Sequence, residues 1–210
     1  MKKVTLFLLK CILAISPLIL LASLLVLDAR LVAQQYYGRP YQVAVPDFKL
    51  IDNAGHSFNK ESLTGSYNYL FFGFTRCTTI CPRTVSRLHA LSRIVDQNNV
   101  NLIFITINPE YDNGEPLDDY QDAFSGKILT LSGERENIWH LARALGNHLA
   151  VDYTLPDEPF SHEGKIYLLD PTNRVRLVYG EQHEDVASIA RDLQILERED
   201  RKNDMGRTHF

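Results

Sequence analysis

The chain is poor in cysteine and shows no excess of basic residues and no internal repeats or low-complexity segments. Its 210 residues contain three cysteines, and one of them, Cys11, lies in the apolar N-terminal stretch. Residues 31–210 therefore keep only Cys77 and Cys81, which can pair only with each other or with a partner. These residues carry 18 Lys and Arg against 25 Asp and Glu, a net charge of −7 with neutral histidines. This balance argues against nucleic acid as a partner, and the lack of repeats favours one domain.

The N-terminus contains a long apolar run. Seventeen uncharged residues extend from Cys11 to Leu27. As a helix they span about 26 Å, near the short end of what a bilayer requires. Three lysines precede the run and only Arg30 closely follows it, which favours a cytoplasmic N-terminus. We therefore predict that residues 1–30 form a transmembrane anchor, with the rest of the chain on the extracytoplasmic (periplasmic) side. A cleavable signal peptide is the alternative.

Beyond the anchor we predict a linker at residues 31–45, a globular domain at residues 46–197 and a charged tail at residues 198–210 that frays. Strand-like and helix-like segments alternate in the domain. In chain order, the pattern predicts a hairpin (48–51 and 56–58), a strand (67–74), a helix to about residue 97, a strand (101–107), a helix (117–124), a strand (127–131), a helix (134–145), a second hairpin (164–169 and 175–179) and a helix (184–196). This order predicts an α/β, thioredoxin-like fold with a central mixed β-sheet flanked by helices and an N-terminal β-hairpin.

Chemically, the most informative segment is residues 74–82, FTRCTTICP. It follows an apolar, aromatic run and precedes apolar residues at helical spacing, so Cys77 and Cys81 fall at a strand-to-helix junction. A helix N-terminus favours thiolate over thiol. Because a thiolate both binds Cu(I) or Zn(II) and attacks disulfides, the residues alone leave metal binding and redox chemistry open.

A metal bound by two thiols needs at least one more donor, and histidine is the obvious residue type. The chain has seven histidines. His162 differs from the others because it follows a proline-rich loop, residues 156–161, and directly precedes a strand that can lie near the cysteine junction. For the other six we expect packing or exposure. His162 is therefore the candidate third ligand.

In order along the chain, these features resemble the Sco/SenC family of membrane-anchored, thioredoxin-like copper-binding proteins associated with cytochrome c oxidase. The family's Phe-Thr-x-Cys-x-x-x-Cys-Pro segment matches residues 74–82. Its distal histidine, followed five residues later by Tyr-Leu, matches His162 and Tyr167-Leu168. Further family landmarks match Phe48, Leu50, Asp52, Gly55, Pro109-Glu110 and Leu131-Ser132-Gly133. The resemblance spans roughly residues 46–196, and it implies that Cys77, Cys81 and His162 are copper ligands.

The function that the resemblance implies is that of a copper chaperone. It would deliver copper to, or prepare, the copper-site subunit of cytochrome c oxidase or another extracytoplasmic cuproprotein. Two thiolates and one imidazole favour Cu(I). Oxidation of Cys77 and Cys81 to a disulfide would remove both thiolates, so copper loading and redox state are coupled.

The alternative is a thiol-disulfide oxidoreductase in which Cys77 and Cys81 are catalytic and act on a partner's metal-binding cysteines. Two other functions fit the residues less well. A thiol peroxidase is disfavoured because Phe74 stands where that motif has proline. A static disulfide is disfavoured because so short a loop gains little stability from closure.

The chain departs from the family pattern at two places near the motif. Thr78-Thr79 stands where the family commonly has Pro-Asp, and residues 108–112, NPEYD, stand where it has Asp-Pro-x-Arg-Asp. Since a nearby like charge raises the pKa of a thiol, losing an anionic neighbour eases thiolate formation. This direction favours the redox alternative.

Overall fold

The computed structural model describes residues 15–24, 36–96, 98–151 and 160–207. The chain divides into two units, residues 1–37 and residues 38–210. In the first unit, residues 15–24 are helical. No helix within the described ranges is both long and apolar enough to cross a membrane. Most of the predicted anchor, residues 1–30, lies outside those ranges, so membrane anchoring stays a prediction.

The second unit is built around a mixed β-sheet. Its described strands are β1 (Arg39–Ala44), β2 (Lys49–Asp52), β3 (Ser57–Asn59), β4 (Tyr67–Gly73), β5 (Val100–Thr106), β6 (Leu129–Ser132), β7 (Ala150–Val151), β8 (Phe160–Ser161), β9 (Ile166–Leu169) and β10 (Arg174–Tyr179). Its described helices are α1 (Lys60–Leu63), α2 (Ile80–Leu91), α3 (Glu115–Ala123), α4 (Arg135–Ala144) and α5 (Val186–Arg207). Eight strands form one sheet in the order β1-β10-β9-β4-β5-β6-β2-β3, and β7 pairs with β8 separately.

The pairing within this sheet confirms the predicted mixed architecture. Strand β5 runs parallel to both β4 and β6, and the other neighbours are antiparallel. Strands β2 and β3 form the predicted N-terminal hairpin. Because β4 and β5 are parallel neighbours joined through α2, the loop that leaves β4 lies at the carboxyl edge of the sheet.

Strand β4 is the central strand, and every one of its residues is buried. Its one polar amide, Asn68, finds partners for both of its atoms. The amide nitrogen donates to the carbonyl oxygens of Leu63 and Ser66 at 2.8 Å each, and the oxygen accepts from Asn101 at 2.8 Å. A buried amide without such partners would cost free energy, so the strand is fixed as firmly by this side chain as by its apolar neighbours.

Helix α2 is shorter than predicted. It ends at Leu91, and residues 92–95 form turns and a bend. The Ser92 hydroxyl donates to the carbonyl oxygen of His89 at 2.7 Å, a local bond of the kind that competes with helix continuation. The predicted end near residue 97 is therefore wrong, although residue 97 itself lies outside the described residues.

The predicted linker is wrong for Arg39–Ala44, because these residues form β1 and pair with β10. The strand includes Pro40, which an edge strand tolerates because one side of it makes no ladder bonds. Just before the strand, the backbone N–H of Gly38 donates to the buried carboxylate of Asp192 at 2.8 Å. This bond to α5 fixes the start of β1.

The prediction that the charged tail frays is wrong for residues 198–207, because α5 continues through Arg207. Two side chains of the tail pair with the body of the domain. Asp200 accepts a hydrogen bond from the Tyr67 hydroxyl at 2.5 Å, and Arg176 lies 3.5 Å from Glu199 and 3.3 Å from Asp200. Residues 208–210 lie outside the described part.

If the Tyr67 bond fixes the last turns of α5, Tyr67→Phe should lower the free energy of unfolding by about 1 kcal/mol, measured by urea denaturation. The ring remains buried and only the hydroxyl bond to Asp200 is lost. Tyr111→Phe, at an exposed tyrosine, is the matched control. A double-mutant cycle with Asp200→Ala, which removes the acceptor, should give a coupling of similar size, and a coupling of zero would mean that the tail frays as the sequence predicts.

Candidate metal centre

The structure brings the three predicted ligands together. Cys77 lies in the loop after β4, Cys81 in the first turn of α2, and His162 directly after β8. All three residues are buried, and one ligand atom from each lies within 4.8 Å of the others. Within the described residues, no other cluster of three or more His, Cys, Asp or Glu side chains comes close enough to hold a metal ion.

The loop before Cys77 is held by a buried carboxylate, Asp112. It accepts hydrogen bonds from the backbone N–H of Thr75 at 2.9 Å and from the Thr75 hydroxyl at 2.5 Å. It also accepts one from the hydroxyl of Thr106, the last residue of β5, at 2.6 Å. The carboxylate therefore ties the cysteine loop to the end of the neighbouring strand.

Cys77 sits where the N-terminus of α2 offers free backbone donors. The N-cap residue, Thr79, makes no side-chain cap bond, while the backbone N–H of Cys81 donates to Cys77 Sγ at 3.4 Å. A hydrogen bond from the Cys81 side chain is the largest influence on the Cys77 thiol. With further bonds from His162 and the backbone, it outweighs burial and lowers the pKa of Cys77 to about 3. Cys77 is therefore a thiolate at neutral pH.

Cys81 behaves in the opposite way. Burial raises the pKa of its thiol, and the hydrogen bond and negative charge of Cys77 raise it further. The reduced pair therefore carries one proton, held by Cys81. No disulfide joins the two cysteines in this structure, so the Cys77–Cys81 disulfide stays a prediction for the oxidised state.

His162 presents one ring nitrogen to the cysteines. Its Nε2 atom lies 3.4 Å from Cys81 Sγ. The ring lies against two phenylalanines, with centroids 5.9 Å from Phe71 and 5.7 Å from Phe74. Among the described residues, the buried Nδ1 atom has no hydrogen-bond partner. The imidazole is thus oriented by packing, with Nε2 as the nitrogen available to a metal.

The strand pair β7 and β8 positions His162 next to the cysteines. The sequence pattern does not predict this pair of strands. Phe160 of β8 packs edge-on against Phe74, with ring centroids 5.6 Å apart. The strand pair and this aromatic contact bring the segment before His162 against the cysteine loop. Most of the proline-rich loop that motivated the choice of His162 lies outside the described residues.

Gly73 is a residue of the site that sequence reasoning missed. A β-carbon there would lie 2.7 Å from Cys81 Sγ and 2.9 Å from ring atoms of Phe71 and Phe104. Only glycine leaves room for the Cys81 sulfur against the last residue of β4. The available signal was a glycine inside an otherwise aromatic strand, which often marks a close approach of other atoms to the backbone.

The other described histidines lie outside the metal-binding group, as expected. His56 pairs with Asp52, His148 pairs with Glu163, and His183 accepts from the backbone N–H of Gly180. His89 packs against Phe124, with ring centroids 5.8 Å apart, and His140 is exposed. His209 lies outside the described residues.

Taken together, the mixed sheet and the Cys-Cys-His cluster at its carboxyl edge define a thioredoxin-like domain with a donor set suited to a soft metal. The SCO1/SenC family model matches residues 38–197, and the chain belongs to this family. The match begins one residue before β1, which agrees with the assignment of Arg39–Ala44 to the domain.

Individual relatives agree with this assignment. The SCO2-like protein RP587 of Rickettsia prowazekii is 32% identical over 132 residues, covering 60% of this chain and 64% of the relative. The chain thus spans less than two thirds of that protein's length.

Solved structures of the family share the fold. The copper-bound crystal structure of Arabidopsis thaliana ScoI has a TM-score of 0.65 and 26% identity, covering 75% of this chain and 99% of that one. The solution structure of apo Sco1 from Thermus thermophilus has a TM-score of 0.67 and 30% identity, covering 77% and 96%.

The asymmetry of the cysteine pair predicts a pH profile for the reduced, metal-free protein. Because the pKa of Cys77 is lowered to about 3, its thiolate forms above that value. The ultraviolet absorbance of one thiolate should therefore persist as the pH falls from about 8 to about 5, where an ordinary cysteine is protonated. Cys77→Ser should abolish this absorbance. Cys81→Ala, which cannot donate this hydrogen bond, should shift its loss to higher pH, and an unshifted profile would contradict the role of the Cys81 hydrogen bond.

Gly73→Ala tests the space available to the Cys81 sulfur. Because the new methyl group would displace that sulfur, we expect affinity for Cu(I) to fall about 10- to 100-fold, as measured by competition with a chelator. Gly55→Ala, in the exposed turn between β2 and β3, is the control: its β-carbon meets nothing within 4 Å, and the backbone strain that alanine brings at φ +83° stays within that turn. Equal affinities of Gly73→Ala and wild type would show that Cys81 has room to move.

Proposed function

We propose that this protein is a copper chaperone that binds Cu(I) through Cys77, Cys81 and His162 and delivers it to, or prepares, a cuproprotein. The observation that carries the proposal is the convergence of two sulfurs and one imidazole nitrogen within 4.8 Å, in a chain of the SCO1/SenC family. Copper-bound structures of relatives, such as Arabidopsis thaliana ScoI, support copper as the metal.

The donor set suits a metal ion that the protein transfers to a partner rather than one that it binds permanently. Two thiolates and one imidazole match the soft-ligand preference of Cu(I). Three protein ligands leave the ion open to a donor from a partner, so copper can pass from one set of ligands to the next without leaving protein. Cys77 is ready as a thiolate, whereas Cys81 must release its proton when copper binds. Copper affinity should therefore rise with pH.

The recipient we propose is the copper-site subunit of cytochrome c oxidase or another extracytoplasmic cuproprotein. This part of the proposal rests on the resemblance to the Sco/SenC family. We further propose that residues 1–30 anchor the chain in a membrane, with the domain on the extracytoplasmic side. The apolar run from Cys11 to Leu27 and the lysines before it support this orientation.

A second candidate, thiol-disulfide oxidoreductase, is favoured by the unequal pKa values of the two cysteines. The Cys77 thiolate would attack a partner's disulfide and form a mixed disulfide, releasing one partner thiolate. Cys81, after losing its proton, would then attack Cys77 Sγ. The second partner thiolate would leave, so that the partner ends reduced and this protein ends as the Cys77–Cys81 disulfide. His162 Nε2, 3.4 Å from Cys81 Sγ, is placed to accept that proton.

An anaerobic titration of the reduced full-length protein with Cu(I), against a competing chelator, separates the two candidates. Wild type should bind a single equivalent. Cys77→Ser, Cys81→Ser and His162→Ala should each lose at least about 100-fold in affinity, because removing a ligand costs more than disturbing its surroundings. His140→Ala, at an exposed histidine, is the matched control and should bind like wild type.

Two outcomes would overturn the chaperone proposal. If wild type fails to compete with the chelator, the affinity of the site for Cu(I) is too low for a chaperone. If His162→Ala binds like wild type, the three-ligand site is wrong. In either case the reduction of a small disulfide substrate by the same variants becomes the decisive measurement, with Cys77→Ser expected to abolish it.

A further inference from the structure

A recess beside the candidate metal centre is lined by arginine and aromatic side chains. Its lining includes Arg76, Tyr111, Arg135 and Phe160 together with Glu110, and it is an open recess of about 400 Å³. We call the first four of these residues the Arg-aromatic patch. Arg76 directly precedes Cys77, and Phe160 packs against Phe74 and lies two residues before His162. The patch therefore borders the site on the side of the cysteine loop.

The charges of the patch do not cancel. Arg135 pairs with Glu110 at 2.5 Å. Arg76 instead lies over the ring of Tyr111, with its guanidinium carbon 3.4 Å from the ring centroid. No carboxylate in the described part of the chain pairs with Arg76. Among the described residues, this guanidinium is therefore not neutralised by an ion pair, in a domain whose overall charge is negative.

The aromatic rings give the patch the composition of a binding surface. Tyr111 is 43% exposed although it is a large ring. The guanidinium carbon of Arg135 lies 5.7 Å from the Phe160 ring and 6.0 Å from the ring of Trp139. Arginine and aromatic residues dominate the energetic centres of protein interfaces. Stacking on a ring also orients a guanidinium before it meets a carboxylate, which lowers the entropy cost of binding.

We propose that the Arg-aromatic patch docks an acidic segment of the partner protein, in which a carboxylate pairs with Arg76 and a neighbouring apolar side chain enters the recess. A recess favours side chains over a flat lipid surface. In a domain of negative net charge, a cationic group beside the cysteine loop favours approach of an acidic segment at that loop. The identity of this partner as the copper recipient rests on the proposed function, but the docking itself needs no copper.

Trp139 provides a local readout, because it is the one tryptophan of the chain and its ring faces Arg135. The probe is a twelve-residue synthetic peptide of Asp, Glu and Leu without cysteine, added to the full-length protein while tryptophan fluorescence is followed. Two peptides of the same length replace the acidic residues with Lys or with Gln. We expect saturable binding of the acidic peptide alone, weakening as salt is added.

Substitutions identify the residues responsible. Arg76→Gln should weaken binding of the acidic peptide about tenfold or more, since a charge-assisted bond is lost. Tyr111→Ala should weaken it as well, because Arg76 loses the ring that orients it. Arg143→Gln is the control: it removes an exposed arginine outside the patch, on the helix α4 that also carries Arg135, and should bind within about twofold of wild type.

Three results would overturn the docking proposal: no binding of the acidic peptide, equal binding of the lysine peptide, or equal weakening by Arg76→Gln and Arg143→Gln. If the acidic peptide does not bind but vesicles of anionic phospholipid bind in an Arg76-dependent way, the patch is assigned to a membrane surface. Copper titration of wild type reports separately on the proposed function. If the peptide binds but Cu(I) does not, only the chaperone proposal is refuted. If Cu(I) binds but the peptide does not, only the docking proposal is refuted.

Discussion

The buried carboxylate of Asp112 fixes the position from which the rest of the site is built. It joins the first residues after β4 to the last residue of β5 through three hydrogen bonds, two from Thr75 and one from Thr106. A carboxylate without such partners is very costly inside a protein, so these three donors have no alternative arrangement of similar free energy. The loop that contains Cys77 therefore starts at a fixed position, and this also restricts where α2 begins.

The same carboxylate helps to separate the two cysteines chemically. Burial is the main reason that the pKa of Cys81 is raised, and the charges of Cys77 and Asp112 add to it. Cys77 lies in the same cluster but receives hydrogen bonds from Cys81, His162 and the backbone, so its pKa falls. One sulfur is thereby prepared to bind or attack, while the other retains a proton until copper or a mixed disulfide makes its loss favourable. The proposed copper transfer and the alternative, disulfide exchange, would thus depend on one electrostatic arrangement.

The sequence predicts those features of the fold and the site that depend on residues close together in the chain. Strand β4 is recognised because it is continuously apolar, the cysteines because their spacing and junction are local, and His162 through a local loop and the family pattern. The missed features depend on residues far apart in the chain. Strand β1 is fixed by a bond from Gly38 to Asp192, the end of α5 by one from Tyr67 to Asp200, and the role of Gly73 by the Cys81 sulfur. The hydrophobic periodicity of a sequence gives no information about contacts between residues so far apart in the chain.

For the proposed copper transfer, the unequal packing of the three candidate ligands would set a direction. Cys81 belongs to a helix and is 1% exposed, and His162 is held between two phenylalanine rings. Cys77 is 7% exposed and His162 is 6% exposed, so these two ligands reach the surface, and Cys77 is the one that lies in the cysteine loop. The Arg-aromatic patch begins at the adjacent residue. A partner held by Arg76 would present its own ligand to the Cys77 side of the site, so that one copper bond is exchanged while Cys81 and His162 still retain the ion.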